Sequence, residues 1–140
     1  MKIEFFEACV PPRTSHHHKQ IVKFGGFSKL ADKPELVAAK SFWDSLFMMH
    51  RPEVPISGPL ALSITLTWPW NAGDSKKVRA AGRIWHWTKP DNSNMTKTLE
   101  DAMGRCAYFN NDSQIADSRC RKYRGDKPGI YVLIEPAGEV

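Results

Sequence analysis

What this chain lacks narrows its function first. It has no apolar run long enough to span a bilayer, and its opening residues, MKIEFFEACVPP, lack the long apolar core of a secretory leader. A cytoplasmic protein with no membrane partner is the expectation. The three cysteines, Cys9, Cys106 and Cys120, are odd in number and widely spaced. That argues against a disulfide framework or a zinc knuckle and for reduced, mostly buried thiols. No repeat, linker or low-complexity stretch interrupts the 140 residues, which read as one domain over residues 1–140. An acidic excess is missing too. Lysine and arginine number 20 against 15 acidic residues, a net charge of +5 that favours polyanionic partners.

Periodicity supplies the elements. Residues 2–10 predict a strand stopped by Pro11-Pro12, and residues 21–27 (IVKFGGF) a second, short strand bent at its Gly-Gly. Asp32 is placed to cap a helix, with Pro34 in its first turn and Glu35 completing a capping box. Leu36, Ala39, Trp43 and Leu46 recur at helical spacing, carrying that helix to about residue 49. Residues 59–68 alternate Leu60, Leu62, Ile64, Leu66 and Trp68 on one side, the pattern of a half-buried strand. Residues 71–83 are polar, basic and glycine-punctuated, which predicts an exposed mobile loop or hairpin arm. A strand at 84–88, a helix at about 93–103 buried through Met95, Leu99, Ala102 and Met103, an extended segment at 113–123 and a final strand at 130–135 follow. The order predicts an α+β fold, a mixed β-sheet with two α-helices packed on one face.

Chemistry concentrates between residues 89 and 114, KPDNSNMTKTLEDAMGRCAYFNNDSQ. Asp91 precedes the second helix, close to the end where amides and dipole favour anions. Asn94, Lys97 and Asp101 lie three and four residues apart and share the face opposite the buried stripe. Asp112 follows, in an Asn111-Asp112 pair that a folded-back connection brings to the same place. Carboxylates gathered this way can hold a divalent metal against a phosphodiester, with Lys97 neutralising the phosphate. Plainer readings stand beside it. Asp91 and Ser93 would serve equally as helix caps, Lys97 as a solvated charge, and Asp101 as its surface partner.

Basic residues fall in two groups. Lys76, Lys77, Arg79 and Arg83 lie in the 71–83 segment, and Arg119, Arg121, Lys122 and Arg124 on the 113–123 segment and just after it. Together they form an expected DNA-binding surface, the alternative being an ordinary solvated edge. His16-His17-His18 offers at most two side chains to one ion and no evident third ligand, so a polar stretch is favoured over a metal site. Trp68, Trp70, Trp85 and Trp87 are read mainly as core or interface packing, with stacking on unpaired bases as the rarer use.

The run Pro90-Asp91-Asn92-Ser93-Asn94-Met95-Thr96-Lys97, then Asp101, then Asn111-Asp112-Ser113-Gln114-Ile115, then Lys122 and Pro128-Gly129, resembles the RusA-like Holliday-junction resolvases. That family pattern reads Pro-Asp-x-Asp-Asn-Leu-x-Lys, followed by Asp-Asp-(Ala/Ser)-Gln-(Ile/Val). The match is close over roughly residues 84–135; earlier residues share only the order of elements. The resemblance implies a homodimeric, phage- or bacterium-encoded endodeoxyribonuclease that cuts four-way DNA junctions with Mg²⁺, or Mn²⁺ in its place. It assigns Asp91, Lys97 and Asp112 to catalysis, and Asp91 and Asp112, with Asp101 compensating, to the metal. Ser93 and Asn111 replace family aspartates. They and Asn94 would orient metal-bound water without supplying charge. The substitutions leave open a weakened or inactive branched-DNA binder on the same fold. An RNA- or single-strand-binding module is a further alternative.

Overall fold

In a computed structural model, residues 1–14 and 33–140 are described in full and residues 19–24 and 27–32 as backbone. The protein is α+β. A five-stranded mixed sheet is built from β1 (Ile3–Glu7), β4 (Leu60–Trp68), β5 (Arg83–Trp85), β6 (Ile115–Gly125) and β7 (Gly129–Pro136). Its spatial order is β1-β7-β4-β6-β5; β4 and β6 run parallel and every other neighbour antiparallel. Strands β2 (Lys19–Phe24) and β3 (Phe27–Asp32) pair antiparallel in a separate two-stranded sheet.

Strand β4 explains the core. Leu60, Leu62, Ile64, Leu66 and Trp68 are buried on one face, alternating as the sequence predicts. Ile130, Val132 and Ile134 of β7 stand beside them in register. Over this apolar face lie α1 (Pro34–His50), through Leu36, Ala39, Trp43, Leu46 and Phe47, and α3 (Asn92–Arg105), through Met95, Leu99, Ala102 and Met103. Burial of the leucine, isoleucine, valine, phenylalanine and methionine side chains among these contributes ~1.5–3 kcal/mol apiece. Two close approaches near the sheet edges demand glycine: a Cβ would stand 2.6 Å from the Glu7 carbonyl oxygen at Gly129 and 2.6 Å from the Gly82 carbonyl oxygen at Gly125.

Several expectations give way. The single bent strand at 21–27 is instead the pair β2 and β3, and Asp32 belongs to β3 rather than to a cap. Lys33 occupies the α1 N-cap without a side-chain bond, while Pro34 starts the helix as expected. Residues 71–83 are structured: they contain α2 (Lys76–Arg79), whose N-cap Ser75 accepts from Val78 N. Asp74 fastens this arm to β6 through Arg124, with Nε to Oδ2 at 2.8 Å and Nη2 to Oδ1 at 3.0 Å. Strand β5 stops at Trp85; β6 starts only at Ile115 because a 3-10 turn occupies Asp112–Gln114. His16-His17-His18 lies outside the described residues.

Candidate active site

Helix α3 brings the acidic motif to the surface while its buried stripe grips the core. Asp91 stands at the N-cap with extended backbone (φ −70°, ψ 144°), yet its carboxylate makes no capping bond to the helix amides. It is exposed, with Asn94 Nδ2 donating to it at the long distance of 3.5 Å. Helix capping therefore does not account for this carboxylate. The backbone around it is well held. Asn92 Nδ2 donates to Cys120 O at 3.0 Å, joining the helix start to β6. Lys122 Nζ donates to Thr88 O at 2.7 Å and Pro90 O at 2.5 Å. Burial lowers the Lys122 pKa, and the Asp91 charge nearby opposes that shift.

One and two-thirds turns along α3, Lys97 gathers the other carboxylates. Its Nζ lies 3.0 Å from Asp101 Oδ1 and 3.3 Å from Asp112 Oδ2. The hydrogen bonds it donates to Asp101 and then Asp112 raise its pKa, so it stays cationic. Such exposed pairs contribute only ~0–1 kcal/mol. Stability is therefore a poor reason for this arrangement. Glu100, which the sequence does not single out, joins Asp101, Asn110, Asn111 and Asp112 around a cleft of about 390 Å³. Burial raises its carboxyl pKa, and the charges of Asp112 and Asp101 add to the rise against the opposing pull of Lys97.

The turn that presents Asp112 is clamped by a residue that the sequence shows only as part of a motif. Gln114 Oε1 accepts from Asn110 N at 3.0 Å and Asn111 N at 3.1 Å, while its Nε2 donates to Ile56 O at 2.9 Å and Gly58 O at 3.0 Å. Asn111 Oδ1 accepts from Ser113 N at 2.9 Å, completing a capping box. The Asn-x-x-Gln spacing was the available signal. Asn111 thus has a structural use that either asparagine or aspartate can serve. Ser93 is exposed in the first turn of α3.

The basic residues divide by what holds them. Lys76 and Lys77 are exposed on α2. Arg79 donates to Asp74 O at 3.0 Å and Asn71 O at 3.1 Å, and Arg124 is committed to Asp74 as described above. Register places Cys120, Lys122 and Arg124 on the helix side of β6, opposite Ile64, Leu66 and Trp68. Arg119 and Arg121 point to the open face, and Arg83 lies 4.1 Å from the Tyr123 ring there.

Could these residues take a metal? Among the described residues, no three His, Cys, Asp or Glu side chains are grouped to hold one. The hard oxygens of Asp91 and Asp112 still suit Mg²⁺, which takes one or two carboxylates and fills its shell with water and phosphate oxygens. Carboxylates of this kind would suit an ion whose shell is completed by water and phosphate oxygens, not one caged by protein alone.

Comparison with known proteins bears on the family. YqaN of Bacillus subtilis (strain 168), an uncharacterized protein, is 31% identical over 90 residues, 61% of this chain and 63% of its own length. The crossover junction endodeoxyribonuclease rusA of Lactococcus phage r1t is 31% identical over 78 residues, 54% of this chain and 53% of that protein. The chain thus spans less than two thirds of either curated relative. The family model for endodeoxyribonuclease RusA matches residues 10–135, from just after β1 almost to the end of β7. Since that match takes in α3, the Asp112 turn and the β6 scaffold alike, the chain belongs to the RusA endodeoxyribonuclease family.

Proposed function

We propose that this protein is a metal-dependent endodeoxyribonuclease that resolves four-way DNA junctions during recombination and repair. The observation that carries the reading is a carboxylate, Asp91, left unused by the helix it begins, on the same helix as a lysine held between Asp101 and Asp112. Asp91 and Asp112 would hold Mg²⁺, or Mn²⁺ in its place. When bound, the ion supplies charge that polarises a phosphate and lowers the pKa of water. Lys97, kept protonated by its two partners, neutralises charge that develops on the phosphate. Lys122 holds the loop beneath Asp91, and Gln114 holds the turn beneath Asp112, so neither carboxylate has to be ordered by the substrate.

Cutting two opposed strands calls for two sites related by two-fold symmetry, hence a homodimer. Its substrate would place the protein in the cytoplasm of a bacterium or a phage-infected host. No described helix is long and apolar enough to cross a membrane.

A second reading, a junction binder with weakened catalysis, is favoured by Ser93 and Asn111. The variant Ser93→Asp/Asn111→Asp separates the two. Asp at 111 can keep the bond from Ser113 N, and Asp at 93 adds an anion in a first helical turn, so the fold should tolerate both. A large gain in junction cleavage would identify a weakened site. Cleavage by the unaltered protein at the doubly substituted level would show that the carboxylates present suffice. Preference for a four-way junction over matched duplex is expected of both proteins, and its absence would overturn the junction assignment.

A further inference from the structure

The segment between β5 and α3 presents one tryptophan to solvent from a fastened base. Trp87 is 83% exposed. Among the described residues no ring contact or hydrogen bond engages it. Its flanking residues are secured on both sides. His86 is buried with its ring 4.9 Å from Trp68, and its backbone N donates to Lys122 O at 2.9 Å. The His86 ring meets Lys89 O at 2.9 Å; a carbonyl only accepts, so Nε2 carries the proton. Lys122 secures Thr88 and Pro90 from below. An indole burial is a large apolar gain that this fold leaves unused.

The surroundings indicate what would cover it. A cleft of about 770 Å³ is lined by Trp85, Trp87, Lys89, Asp91, Arg121 and Lys122, among others. Trp85 already stacks on Tyr123, with centroids 4.6 Å apart and planes 21° off parallel. Arg83 also lies against Tyr123. That leaves Trp87 as the indole with no ring partner beside a carboxylate of the site.

We propose that Trp87 is a stacking platform for one unpaired nucleobase of the DNA substrate, with the flanking phosphates against Lys89 and Arg121. The proposal rests on the reading above, that the protein acts on branched DNA, and adds how an open branch point would be distinguished from duplex. An aromatic face interleaved with cations is the make-up of a single-strand groove. The centre of a protein–protein interface is instead depleted of lysine and aspartate, here present as Lys89, Lys122 and Asp91. The cleft volume falls within the range of small-ligand sites, room for a nucleotide rather than a helix. In a closed duplex each base face is already covered by its neighbours, so only unpaired or branch-point bases can use the platform. A strand anchored there passes Asp91.

Fluorescence anisotropy in EDTA tests this, using wild type, Trp87→Ala and Trp87→Phe against a four-way junction, its matched duplex and a single strand. Loss of one stacked base corresponds to about tenfold in affinity or more. Trp87→Ala should weaken junction and single-strand binding by that factor and leave duplex binding nearly unchanged. Trp87→Phe should recover most of the loss. Single-strand binding by Trp87→Ala equal to wild type, or an equal loss on duplex, overturns the proposal. Sedimentation of the same proteins covers the other occupant: a dimer that becomes a monomer in Trp87→Ala would assign this face to a second copy and overturn the platform too. Should wild type fail to prefer junction over duplex, the functional reading falls, and the single-strand titration still decides for Trp87.

Discussion

Replacing Gln114 by glutamate is a one-atom test of how Asp112 is held. The amide makes four bonds between 2.9 and 3.1 Å, two received at Oε1 from the Asn110 and Asn111 amides and two given by Nε2 to the Ile56 and Gly58 carbonyls. A net hydrogen bond contributes ~0.5–1.5 kcal/mol, at the low end where water competes. Gln114→Ala should therefore cost roughly 2 kcal/mol, lowering Tm by roughly 5–10 °C for a chain of this size. Gln114→Glu keeps both accepted bonds but turns a donor into an oxygen facing two carbonyls, so at neutral pH it should destabilise at least as much. The sign with pH follows. A carboxyl pressed against carbonyls binds its proton more readily folded than unfolded, so the stability of this variant should rise as pH falls toward about 4. Thermal melts at pH 7 and pH 4.5, with junction cleavage measured on the same samples, read both effects. A Gln114→Glu protein that melts with wild type at pH 7 would refute the clamp.

Other consequences are equally direct. Lys97→Met should reduce cleavage by ~10²-fold or more with almost no change in Tm, because its exposed pairs with Asp101 and Asp112 stabilise little. His86 has its pKa lowered, chiefly by burial, below the ordinary 6.5. The unfolded chain thus takes up its proton first, and this contribution is complete above pH 6.5 and declines as pH falls through it; melts of wild type and His86→Phe across pH 5–8 should differ in slope there. Asp74→Asn breaks the charged bidentate link to Arg124, which holds the Asp74 carboxyl below its usual range. Trypsin should then cut the arm faster after Lys76, Lys77 and Arg79, and an unchanged digestion rate would contradict the account of the arm.

Legibility in the sequence followed the range of the interaction. Strand β4 and helix α3 announce themselves because every buried residue sits at the period of its own element. The β2–β3 pair is the exception: it is local, with Phe24 pairing Phe27, and the Gly-Gly between the two runs is a hairpin signal that a single bent strand overlooks. Helix α2 has four residues, too few for any period, and rests on the Ser75 cap and an anchor some fifty residues away in sequence. Charge counts marked Lys122 and Arg124 as basic without revealing that one meets backbone carbonyls and the other a carboxylate. Spacing alone cannot distinguish a capping aspartate from an unused one at position 91; the direction of its side chain does.

Single-turnover cleavage of an end-labelled four-way junction, with Asp91→Asn and Asp112→Asn beside wild type, tests the central claim most directly. Run in Mg²⁺, Mn²⁺ and EDTA, the wild type should make paired nicks near the branch point only with metal, and each variant should lose them while still binding the junction. Metal-dependent nicking that survives in either variant, or tight junction binding by wild type with no cleavage in either metal, would contradict the assignment of these carboxylates to catalysis.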